Sequence, residues 1–149
     1  MTWLDPPISA VRDVVARALA EDLGVFGDLT AGLVPAEATV TAAIVARTAG
    51  VLAGRLAATE AFSSVDAGIT VTWQLGDGDP VAAGTVIAAV AGPLASVLTA
   101  ERTVLNLLGH LSGIASLTRR YVDAAGGRTQ RRRTHKNKHA GFDPANAAG

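Results

Sequence analysis

Three side chains that could do chemistry stand four residues apart within Gly92–Ala115: Arg102, Asn106 and His110. At about 100° per residue they share one ridge if the stretch is helical. A guanidinium is a planar, permanently charged fork that meets a carboxylate or phosphate with two parallel hydrogen bonds. Arg102 therefore suits an anionic substrate that carries a carboxylate or a phosphate. Its plainer uses are a solvated cation or a partner for Glu101. His110 could move a proton near neutral pH, although a single histidine more often serves as a hydrogen-bonded structural residue.

The element that must carry this ridge reads as a helix. Gly92 closes what precedes it, and Pro93 suits a first helical position, where no N–H is needed. Leu94, Val97, Leu98, Leu105 and Leu108 recur at the spacing of a stripe packed on a core. Glu101 falls near the centre of that stripe, where an unpaired carboxylate would be costly. Gly109 and Gly113 weaken the helix, and Ser112 is placed to cap a second one running to about Ala125.

The run Glu101-Arg102-Thr103-Val104-Leu105-Asn106, with His110-Leu111-Ser112-Gly113-Ile114-Ala115, closely resembles the same run in quinolinate phosphoribosyltransferases, the decarboxylating enzymes of NAD biosynthesis. The resemblance extends back through Ala18-Leu19-Ala20-Glu21-Asp22-Leu23-Gly24, Gly27-Asp28-Leu29-Thr30 and Gly50-Val51-Leu52-Ala53-Gly54, and covers roughly residues 11 to 125. It implies an α+β domain: a small, largely antiparallel sheet with helices packed on one face, the N-terminal domain of type II phosphoribosyltransferases. It implies a homodimer in which Arg102 reaches across the interface and binds quinolinate in the neighbouring site. It also implies phosphoribosyl pyrophosphate as second substrate and Mg²⁺ as cofactor. In the family a second, β/α-barrel domain carries most of the active site, and one of its strands ends in Thr-Arg-Lys-Thr. Thr134-His135-Lys136-Asn137 stands near that distance, so Lys136 is carried over as a substrate-binding residue; His135 and Asn137 depart from the pattern.

The rest of the chain sets limits on this reading. With 149 residues it is about one domain long. There is no cysteine, hence no disulfide and no zinc–thiolate site. No run is apolar enough to span a membrane, no signal-peptide pattern opens the chain, and a cytoplasmic protein is expected. Residues 1–127 hold seven arginines, no lysine and twelve carboxylates, whereas 128–149 hold six cations and only Asp143. The expected division is thus a family-like domain over 1–127 and a disordered or irregular basic tail over 128–149, a truncated or out-of-frame barrel start. Fewer residues follow Ala125 than one βα unit needs. The lysine-free part offers no pocket for the phosphoribosyl donor, so the chain alone is expected to be inactive, with no catalytic and no metal-binding residue of its own.

Taken in order, Ser9 is placed to cap a helix with Val11, Val14, Val15, Ala18 and Leu19 on one face, ending by Gly24. Val40 to Arg47 reads as a strand, and Leu56 to Val65 as a helix. Ile69-Thr70-Val71-Thr72-Trp73-Gln74-Leu75 alternates as a half-buried strand does. Gly76-Asp77-Gly78-Asp79-Pro80 is a turn rather than a metal loop, since it lacks the EF-hand pattern. Glu21, Asp22 and Asp28 read as capping and loop groups. A further strand covers Thr85 to Ala91. Other classes fit less well. A non-catalytic dimerisation or interaction module, and a paralogue acting on another pyridine carboxylate, stay open. A biotinyl or lipoyl carrier, which residues 76–92 resemble, would need a lysine before Lys136. Nucleic-acid binding by the tail would lack aromatic partners beyond Phe142.

Overall fold

The computed structural model describes residues 6–24 and 33–126. The elements are α1 (Ile8–Leu23), β1 (Thr39–Val45), β2 (Gly50–Val51), α2 (Arg55–Val65), β3 (Thr70–Trp73), β4 (Pro80–Val81), β5 (Val86–Pro93) and α3 (Leu94–Ala125). The chain divides into two compact units, Met1–Ser116 and Leu117–Gly149. In the second, the described residues are the final turns of α3 and Gly126, with Tyr121 and Val122 exposed.

In the first unit β5 is the central strand of an antiparallel sheet ordered β1-β5-β3, and β2 pairs antiparallel with β4. This is the α+β class expected. In β5, flanked by a strand on each side, neighbouring Ile87 and Ala88 are both buried, so both faces of the strand are covered at that point. The core joins Val11 and Val15 of α1, Phe62 of α2, Val90 of β5, and Val97, Val104 and Leu108 of α3. Ala58, Ala61, Ala88 and Ala100 have no exposed surface at all. Small side chains let elements approach closely, which is how an aromatic-poor chain reaches interior packing density.

Several local expectations are corrected. Ser9 does not cap α1; the N-cap is Pro7, whose carbonyl accepts from the Ala10 and Val11 amides. Val14 is exposed, because the buried stripe of α1 is only Val11 and Val15 wide. Pro93 is the last residue of β5, opposite Thr39, and the helix begins at Leu94, whose amide donates to Ala38 O at 2.8 Å. Two short strands, β2 and β4, appear where no strand is expected, β4 starting at Pro80, the last residue of the expected turn.

The largest correction is to the helix count. Leu94–Ala125 is one α-helix, unbroken at Gly109 and Gly113. Its buried positions are Val97, Ala100, Thr103, Val104 and Leu108. The stripe is thus rotated away from Glu101, toward Ala100 and Thr103, and both Glu101 and Leu105 are exposed. Leucine spacing misplaced the stripe because a fully buried alanine and a hydrogen-bonded threonine carry little hydrophobic signal. No helix among the described residues is long and apolar enough to cross a membrane.

Candidate functional site

Arg102, Asn106 and His110 are all exposed on α3, on the side away from the buried stripe. Successive members are displaced by roughly 6 Å along the axis, from a rise of about 1.5 Å per residue. Among the described residues the ion pair recorded is Arg12 Nε to Glu60 Oε1 at 2.8 Å. Arg102 is therefore not neutralised by its neighbour Glu101. Among the described residues no carboxylate forms an ion pair with its guanidinium.

Polar stitches hold α3, and so the ridge, in place. Beside Arg102, the hydroxyl of buried Thr103 donates to Asp22 Oδ2 of α1 at 2.5 Å. Further along, Ser112 Oγ accepts from the Ala53 amide at 3.0 Å and donates to the Ala53 carbonyl at 3.2 Å. Ser116 Oγ accepts from the Val51 amide at 2.8 Å and donates to Ser112 O at 2.7 Å. A Cβ added at Gly50 would lie 2.6 Å from Ser116 Oγ. Ser112 is thus an interior residue joining the helix to segment 50–54, not the start of a second helix. These partners were missed from sequence. The usable signal was a pair of serines one helical turn apart, on a helix that must face a glycine-bounded segment.

The remaining polar candidates are structural. Asp77 Oδ1 accepts from the Arg55 amide at 3.2 Å, capping α2 from a distance, since Gly54 supplies no side-chain cap. Asp79 Oδ2 accepts from the Gly76 amide at 2.7 Å. The Gly-Asp-Gly-Asp-Pro segment is held as a turn. Among the described residues no group of three or more His, Asp or Glu side chains is placed to hold a metal ion. The expectation for Lys136, with the rest of the basic tail and Asp28, lies outside the described residues.

Against known proteins, residues 13–112 match the domain family described as quinolinate phosphoribosyl transferase, N-terminal domain. The chain is 37% identical over 120 residues to quinolinate phosphoribosyltransferase [decarboxylating] 1b of Nicotiana tabacum, covering 80% of this chain and 34% of that protein. It is 43% identical over 112 residues to the probable nicotinate-nucleotide pyrophosphorylase [carboxylating] of Bacillus subtilis, covering 75% of this chain and 38% of that one. The solved nicotinate-nucleotide pyrophosphorylase of Francisella tularensis superposes with a TM-score of 0.78 at 35% identity, over 83% of this chain and 43% of that structure. The chain thus spans between about a third and under half of the length of these relatives.

Proposed function

The chain belongs to the quinolinate phosphoribosyltransferase family as its N-terminal domain, and from that premise we propose that it is the substrate-capping, dimerising part of such an enzyme. The reaction of the whole enzyme would join quinolinate to phosphoribosyl pyrophosphate, releasing pyrophosphate and CO₂ and leaving nicotinate mononucleotide. The observation that carries this reading is the exposed guanidinium of Arg102, without an ion-pair partner among the described residues, on a helix held at Thr103 and at Ser112. Its task is to bind, not to move protons. In a neighbouring site closed against water, a bidentate contact to a ring carboxylate would hold the pyridine in one orientation. The phosphoribosyl donor and its Mg²⁺ fall to residues other than those described here. Lys136 is proposed as a second contact to the same substrate, on the sequence pattern alone.

The test is complementation. An intact family member whose own Glu-Arg-Thr arginine is replaced by alanine is co-expressed with this chain. The wild-type chain should restore nicotinate mononucleotide formation, and the Arg102→Ala chain should not. Equal activity with both chains would overturn the role of Arg102. Turnover by the purified chain alone would overturn the proposal that it only completes another subunit's site.

A further inference from the structure

Thr103 follows Arg102 on α3, about 100° around the helix axis. It is 1% exposed, and its Oγ1 donates to Asp22 Oδ2 on the last turn of α1. Asp22 is half-buried. The other buried positions of α3 are Val97, Ala100, Val104 and Leu108. Apolar contacts are non-directional. They hold α3 against the core but fix its rotation weakly, least of all at an alanine. A hydrogen bond to a carboxylate is directional and strong. The Ser96 bond to Asp66 and the Ser112 bond to Ala53 lie roughly 10 Å and roughly 14 Å away along the axis, at about 1.5 Å per residue.

α1 supplies a fixed reference for that bond. Val11 and Val15 are buried in the core, and Arg12 Nε meets Glu60 Oε1 of α2 at 2.8 Å. A helix tied to α2 near its start thus holds α3 from its end. A rotation of α3 by about 20° would carry a group about 6 Å from the axis by roughly 2 Å. That exceeds what a bidentate hydrogen-bonded contact tolerates.

We infer that Asp22, acting through Thr103, is a positioning residue for Arg102: it fixes the rotation of α3 at the point where the guanidinium is presented. Neither Asp22 nor Thr103 is required to touch the substrate. The inference rests on the reading that Arg102 binds quinolinate in another subunit's site, and it adds the residue that aims the guanidinium.

The test uses the co-expressed pair described above, purified and assayed for KM and kcat with quinolinate. Asp22→Ala and Thr103→Val in this chain should each raise KM about tenfold and leave kcat within about twofold. Thr103→Ser keeps the donor and Asp22→Asn keeps an acceptor, so both should stay near wild type. The Asp22→Ala/Thr103→Val double variant should raise KM no further than either single variant, since both remove one bond. Val15→Ala removes buried apolar surface from the same helix. It should lower the melting temperature by several degrees with KM unchanged. A KM that tracks melting temperature across all these variants, Val15→Ala included, would overturn the inference and leave the role of Arg102 standing. A wild-type chain that restores no activity would overturn the reading of Arg102 and the inference with it. In the chain alone, amide hydrogen exchange gives a second readout. Thr103→Val should speed exchange at Arg102 and Val104 about tenfold more than at Ser112. Equal acceleration along α3 would overturn the positioning role whatever Arg102 binds.

Discussion

Ser112 Oγ holds both backbone groups of Ala53, accepting from its N–H at 3.0 Å and donating to its C=O at 3.2 Å. One hydroxyl thereby satisfies a donor and an acceptor of a segment that belongs to no long strand. Replacing Ser112 with alanine strands both groups. A loss of about 1–3 kcal/mol is expected, and a thermal melt of Ser112→Ala against wild type measures it. At roughly 4–8 °C per kcal/mol for a domain of about a hundred residues, the shift is readily seen.

The contact between Thr103 and Asp22 makes a parallel expectation. Thr103 is 1% exposed, and its hydroxyl has the Asp22 carboxylate to meet. Thr103→Val keeps the shape and removes the donor, so it should cost about 1–2 kcal/mol; Thr103→Ser, which keeps the hydroxyl, should cost less. Denaturant titration of the two variants checks the order.

Asp66 gives the fold an acid sensitivity. Its carboxyl is held below the ordinary aspartate value of 3.8, first by the Ser96 hydroxyl at 2.6 Å and then by the Gly68 amide at 2.7 Å. A depressed folded-state value stabilises above the unfolded value and is lost as pH falls through the folded one. The Asp66→Asn variant should therefore fall short of wild type most clearly above pH 4, with the gap closing on further acidification. Paired melts from about pH 2 to pH 6 span that window.

Glycines on and against α3 should respond in opposite directions. Gly54 has φ +102°, and an added Cβ would meet Leu111 Cδ1 at 2.8 Å, so Gly54→Ala should destabilise. At Gly109 an added Cβ meets nothing within 4 Å. Gly109→Ala should stabilise by about 0.5–1 kcal/mol, the ordinary helix preference for alanine. The two melts together test whether α3 is continuous through Gly109; if a break occurred there, the second gain would vanish.

Arg102→Ala should leave stability within about 0.5 kcal/mol of wild type, because the side chain is exposed and unpaired. A loss of complementing activity without a change in melting would then report on binding alone.

How far the chain could be read in advance depended on the range of the interaction. The alternation over residues 69–75 and the periodicity near α2 are local, and β3 (Thr70–Trp73) and α2 (Arg55–Val65) lie where those patterns place them. The family was legible because a long run of unusual residues stands in fixed order. The rotation of α3 was not legible. Periodicity weighs leucines, whereas burial followed Ala100 and the Thr103–Asp22 contact. Ser112 resembled a cap because glycines surround it, and only a distant segment explains its presence inside a helix.

The order of residues by itself determined the class of fold, the alternating faces of β3, and the placing of Arg102, Asn106 and His110 on a common ridge. These follow from the helical and strand repeats, which act over a few residues. Tertiary structure decided that α3 runs unbroken, that Glu101 faces out, and that Arg102 stands unpaired. Those outcomes rest on pairs such as Ala53 with Ser112, which are 59 positions apart. A buried backbone group must find a partner wherever the fold supplies one. No local pattern reports which side chain that will be.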